Sequence, residues 1–100
     1  MKLKIQSIHF NADQKLLSFI QEKVDKLVHF YEDIMGGEVY LKLDKSTDLE
    51  NKITEIKIQT PGKVLFASER CKTFEEATDS AVEALRKQIT KHKEKMRRGM

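Results

Sequence analysis

The sequence has one cysteine, one proline, four glycines and only 7% aromatic residues. A single cysteine excludes an internal disulfide, and a reducing cytoplasm is the natural compartment for such a chain. No apolar run approaches the length that a membrane-spanning helix requires. The opening residues, Met1-Lys2-Leu3-Lys4-Ile5, alternate at once and lack the apolar block of a secretory leader. We therefore expect a cytoplasmic protein with no membrane partner. A glycine-rich phosphate loop, a nucleophile elbow and an HExxH helix are also missing. His9, His29, His92 and Cys71 are scattered along the chain without the spacing of zinc ligands. Cys71, just past a strand, reads as a small half-buried residue rather than a nucleophile. These absences predict a chain that is not an enzyme, with no catalytic residue, no metal site and no cofactor.

What is present is charge, unevenly placed. The 100 residues are 39% hydrophobic and 35% charged, with a net charge of +3. That length predicts one domain, 1–100, able to bury about two-thirds of its unfolded surface. Residues 86–100 hold Arg86, Lys87, Lys91, Lys93, Lys95, Arg97 and Arg98 against Glu94 alone. The preceding 85 residues carry twelve basic and fifteen acidic side chains. An ordinary solvated helix mixes signs, whereas a polarised chain steers toward a polyanion. After Ile89 the only large apolar residues are Met96 and the terminal Met100, so this tail has no face to insert into a lipid surface.

Periodicity orders the rest. Residues 2–10 alternate as a half-solvated strand, with Leu3, Ile5 and Ser7 on one side. Asn11 is the expected N-cap of a first helix over Ala12 to Asp33, with Gln14 completing a capping box. Leu16, Leu17, Ile20, Val24, Leu27, Val28 and Tyr31 form its apolar face, and Gly36-Gly37 is the expected stop. A second strand alternates through Val39, Leu41 and Leu43, and Lys45 to Asn51 is a polar connection. A third strand follows through Thr54, Ile56 and Ile58. Thr60-Pro61-Gly62-Lys63 has the composition of a type II turn, so the fourth strand, Val64 to about Arg70, closes a hairpin. Thr73 and Glu76 make a capping box that opens a last helix running to Met100. Phe74, Thr78, Ala81, Val82, Leu85 and Ile89 are its apolar stripe. The predicted fold is α+β: a two-layer β-α-β-β-β-α arrangement with two helices on one face of a four-stranded sheet. The first β-α-β step should cross right-handed and leave its two strands parallel.

The basic residues of the last helix fall in two columns flanking this stripe. Lys87, Lys91 and Arg98 share one side with Lys95 nearby, and Arg86, Lys93 and Arg97 line the other. His92 lies on the stripe itself, placed either to stack at the end of the helix interface or to touch nucleic acid. On the first helix, Lys15, Phe19, Lys23, Lys26 and Phe30 form a basic strip with interleaved aromatics. Lysines on such a strip can hold phosphates, while the two phenylalanines read as edges of the core.

The run Gln88-Ile89-Thr90-Lys91-His92-Lys93-Glu94-Lys95 resembles the end of the ribosome hibernation-promoting factors, or ribosome-associated inhibitors, also labelled sigma-factor modulation proteins. Leu3-x-Ile5, Lys23-x-x-Lys26-Leu27, and Pro61-Gly62 with Ala67-Ser68 are similar too. The resemblance implies the fold just derived and binding to the small ribosomal subunit, in the channel of messenger and transfer RNA. It implies inhibition of translation in stationary phase or stress, and ribosome dimers formed with a separate helper protein. By position it carries rRNA contacts to Lys23, Lys26, Lys87, Lys91, His92, Lys93 and Lys95. Arg86, Arg97 and Arg98 join them on charge. No DNA target is expected, and the short form implies no self-association domain. Ala84 stands where the family usually has lysine, Leu17 where it often has arginine, and Phe74 where it has tyrosine. Two other readings stay open: a general double-stranded-RNA-binding module, and a protein-interaction modulator of a sigma factor.

Overall fold

A computed structural model describes residues 3–45 and 49–98, with the side chains of residues 95–98 outside that description. The element order is β1 (Leu3–Ser7), α1 (Gln14–Phe30), β2 (Gly36–Leu43), β3 (Lys52–Thr60), β4 (Lys63–Cys71) and α2 (Phe74–Arg98). The strands lie in the order β1-β2-β3-β4. β1 and β2 are parallel, and the other two pairings are antiparallel. This is the expected α+β architecture.

Strand alternation decides which face the helices cover. Val39, Leu41, Ile56, Ile58 and Leu65 point into one buried layer, where they meet Ile20, Val24 and Leu27 of α1 and Ala81, Leu85 and Ile89 of α2. Two threonines interrupt the apolar layer, Thr54 on β3 and Thr78 on α2. Their hydroxyls lie 3.3 Å apart and satisfy one another, so neither is left unpaired in the core. The β3–β4 hairpin turns as expected, with Gly62 at φ +76°, the positive value that a type II turn needs at its second central position.

Four local expectations are corrected. Asp13, not Asn11, caps α1: its carboxylate accepts the Leu16 N–H at 2.8 Å. Asn11 and Asp13 are both good caps, and the Asn11–Gln14 spacing favoured the wrong one. α1 ends at Phe30, three residues before the expected limit, and its Tyr31 cap is already extended. Tyr31 and Ile34 are buried nonetheless, entering the core from the connecting segment rather than from a helix. Gly36-Gly37 consequently does not stop the helix but begins β2. A Cβ on Gly37 would lie 3.0 Å from Ile58 Cδ1 and 3.3 Å from Leu3 Cδ1, so glycine is there for space between neighbouring strands. β1 is also shorter than 2–10. The backbone bends after Ser7, and His9 takes a left-handed φ of +65°. Of the expected polar connection, residues 46–48 lie outside the described residues, as do the last two of the last helix.

Candidate nucleic-acid interface

Both helices return from the same end of the sheet, so they run side by side in the same direction. Contacts along their length fix this. Phe10, just before α1, stacks on Phe74 at the start of α2, with ring centroids 5.1 Å apart. Lys23 then meets Asp79 at 3.1 Å, and Phe30 meets Arg86 and Lys93 near the far end. α2 has 25 residues and α1 has 17, so the last turns of α2 run on beyond α1. The Thr73 hydroxyl accepts the Glu76 N–H at 3.1 Å and starts α2, which is one half of the expected capping box. Glu75 and Glu76 sit in the first turn, where the helix dipole favours acid.

The two basic columns of α2 do different things. Lys87 and Lys91 face solvent, and together with Arg86, Thr90 and the acids Glu83 and Glu94 they line a shallow outer groove of about 430 Å³. Arg86 and Lys93 turn toward α1. The Arg86 guanidinium carbon lies 5.1 Å from the Phe30 ring centre, and the Lys93 ammonium lies 4.7 Å from it. Lys93 also donates to the Phe30 carbonyl at 3.1 Å and stands 5.4 Å from the Tyr31 ring. An ammonium on a carbonyl of the last helical turn is a C-terminal cap, favoured by the helix dipole. Lys93 therefore joins the two helices at their C-terminal ends. His92 stacks edge-on against Tyr31, with an interplanar angle of 80° and centroids 6.1 Å apart. It occupies the end of the helix interface. Burial raises the Tyr31 phenol above its ordinary pKa, with the Asp33 carboxylate adding to the effect.

On α1, Lys26 is exposed and Lys23 half-buried, its ammonium 5.3 Å from the Phe19 ring. Phe19 and Phe30 pack against the core cluster, as their core-edge reading predicts. Lys23, Lys26 and Phe30 share an interhelical cleft of about 510 Å³ with Asp79, Glu83 and Arg86. The structure thus brings Lys23, Lys26 and Arg86 around one cleft, with Lys87 and Lys91 beside it on the outer surface of α2. The backbone of α2 continues through Lys95, Arg97 and Arg98, whose side chains lie outside the described residues. Asp79 and Glu83 were not singled out in the sequence. Their signal is a position one helical turn apart on the α2 face that meets α1.

Chemistry elsewhere is sparse among the described residues. Burial pushes the Cys71 thiol up, and Glu76, Glu69 and Glu50 push the same way against a lowering hydrogen bond with Ser80. A raised thiol holds little nucleophilic thiolate at neutral pH. No described group of three or more His, Cys, Asp and Glu residues could hold a metal ion. No described helix is long and apolar enough to cross a membrane.

Fold and surface together define a small two-layer α+β protein whose paired helices present a cationic face. Residues 3–97 match the family model described as Sigma 54 modulation protein / S30EA ribosomal protein, and the chain belongs to that family. It is 28% identical over 95 residues to a ribosome hibernation promoting factor of Pseudomonas putida, covering 95% of this chain and 89% of that one. The corresponding protein of Escherichia coli strain K12 is 27% identical over 97 residues, 97% of this chain and 98% of its own. Among solved structures, a ribosomal subunit interface protein from Coxiella burnetii superposes with a TM-score of 0.83 at 16% identity, covering 93% and 98% of the two chains. The N-terminal domain of Thermus thermophilus Protein Y superposes with a TM-score of 0.76 at 19% identity, covering 89% and 94%. At those identities the structural likeness establishes the fold alone.

Proposed function

We propose that this protein is a ribosome hibernation factor. It binds the small ribosomal subunit through rRNA in the channel used by messenger and transfer RNA, and so silences translation in stationary phase or stress. The observation that carries this reading is the pairing of Lys23 and Lys26 on α1 with Lys87 and Lys91 on α2, all on the surface of the helical layer. Family membership supplies the ribosome, because relatives across nearly the whole chain are named ribosome hibernation promoting factors. Charge supplies the RNA, because seven bases against one acid over 86–100 answer to a phosphate backbone.

On this reading residues 1–100 act as one ribosome-binding domain in the cytoplasm. The sheet and the first half of α2 are the anchor. The residues from about 90 onward are a basic extension that follows the rRNA beyond the end of α1. Arg97 and Arg98 belong to it by charge, and Lys95 by position as well. Lys93 and His92 contribute by holding the extension against α1, and Arg86 by its place at the cleft. No reaction is required: occupation of the channel excludes the translation machinery. Ribosome pairing, where it follows, depends on a separate helper protein.

Salt dependence tests the phosphate part of this reading. Co-sedimentation with small subunits should weaken steeply between about 50 and 200 mM salt, with a log–log slope of about 0.7–0.9 for each phosphate contact. Naked duplex RNA should compete poorly. No association with small subunits at low salt would overturn the proposal, and equal affinity for duplex RNA would favour a general RNA-binding module.

A further inference from the structure

Ile89 is the last residue of α2 in the core cluster. Past it, among the described residues, the polar and ring contacts that tie α2 to the rest of the chain land on two neighbours, Phe30 and Tyr31. Phe30 takes most of them. Its carbonyl accepts from the Lys93 ammonium at 3.1 Å, and its ring centre lies 4.7 Å from that ammonium and 5.1 Å from the Arg86 guanidinium carbon. Arg86 and Lys93 are seven residues apart, about two turns along one side of α2, yet both side chains converge on this one ring. The chemistry of the anchor matters. A carboxylate would hold the two cations as well, but it would cancel charge that an RNA-facing surface needs. A ring attracts a cation through its quadrupole and a carbonyl through its dipole, and neither carries net charge. Among the described residues no carboxylate pairs with Lys93, and Arg86 meets only Glu83, at 3.7 Å between exposed groups.

We propose that Phe30 is a positioning and specificity-determining residue for small-subunit binding, fixing the direction of the basic extension without neutralising it. The inference rests on the function proposed above and adds to it a source of selectivity. Turns of like charge with no core beneath them are marginal in water, so residues 90–98 need an outside contact to hold one direction. A pinned extension stands at a set angle to Lys23 and Lys26 of α1, and an RNA surface must match that shape to meet both. An unpinned extension is still a polycation and finds phosphates on any RNA. To reach the matched geometry, however, it must first be ordered, at an entropic cost that the pinned form avoids. Phe30 is half-buried at the edge of the core and acts through Arg86 and Lys93 rather than on RNA directly.

Phe30→Leu tests this in the full chain, because it keeps an apolar side chain at the core edge and removes the ring. In the free protein, amide exchange over residues 90–98 should quicken about five- to thirtyfold, the worth of two ring–cation contacts, while exchange from Ala81 to Leu85 stays unchanged. Affinity for small subunits should fall by a similar factor at every salt concentration, with the salt slope kept, because no phosphate contact is removed. Affinity for naked duplex RNA should change by less than about twofold, since a loose polycation still reaches phosphates. Phe30→Tyr keeps the ring and should restore binding and exchange alike. Lys93→Met leaves the core edge untouched and should quicken the same exchange, and adding Phe30→Leu to it should cost at most about fivefold more. Phe30→Leu binding subunits as tightly as the parent overturns the proposal, as does Phe30→Tyr binding as weakly as Phe30→Leu. Equal losses on both RNAs, or exchange unmoved by Lys93→Met, overturn it too. No binding of the parent chain to small subunits would instead overturn the underlying function, and this role with it.

Discussion

Replacing Lys23, Lys26, Lys87 and Lys91 together by alanine should lower affinity for small ribosomal subunits by about a thousandfold at about 0.1 M salt. Each lysine that neutralises a phosphate releases a counterion, and its loss removes about 0.7–0.9 of a unit from the salt slope. Four losses take away about three units, and near 0.1 M each unit is a factor of about ten. The fold should hardly notice. Lys26, Lys87 and Lys91 are exposed, and the Lys23–Asp79 pair is a partly exposed ion pair of a kind worth about 0–1 kcal/mol. Titration of small subunits at several salt concentrations, alongside a thermal melt of the free variant, separates the two effects. A variant that melts normally and still binds tightly would remove the cationic face from the mechanism.

Leu85→Ala should destabilise the fold by about 2–5 kcal/mol. Leu85 is fully buried on α2, within the cluster that joins both helices to the sheet. Truncation there loses transfer energy and leaves a cavity that close-packed neighbours refill only in part. A domain of about this size shifts its melting temperature by about 4–8 °C per kcal/mol, so a fall of about 10–30 °C is expected by calorimetry. Binding should fail at the temperature where the variant unfolds and remain intact below it, because no phosphate contact has been removed. A melting temperature within a few degrees of the parent would mean that the stripe of α2 is not what fixes this helix to the sheet.

The alternation of β2 to β4 and the stripe of α2 were readable from residue type alone, since a two-residue and a 3.6-residue period are hard to confuse over eight or more residues. The end of α1 was not. Val24, Leu27, Tyr31 and Ile34 keep helical spacing past the true terminus, and only tertiary packing shows that the last two are buried from outside the helix. Gly37 misled for a related reason: its signal is the same whether it permits a left-handed turn or a close approach between strands. In the candidate site, the solvent-facing column of Lys87 and Lys91 followed from the helical wheel. That Arg86 and Lys93 turn inward did not, because the choice depends on which side of α2 meets α1. Lys93 shows the consequence. A residue that reads as a free cation is spent on the Phe30 carbonyl and ring, while Asp79 and Glu83 stand unannounced among the bases of the cleft.

The central claim is that the paired helices occupy the channel where messenger and transfer RNA bind. Competition on purified small subunits measures this most directly: subunits preloaded with messenger and transfer RNA are titrated with the protein at low salt. Mutual exclusion is the expected result, with bound protein falling in proportion to channel occupancy and the four-lysine variant failing to displace either RNA. Simultaneous binding at full stoichiometry would contradict it.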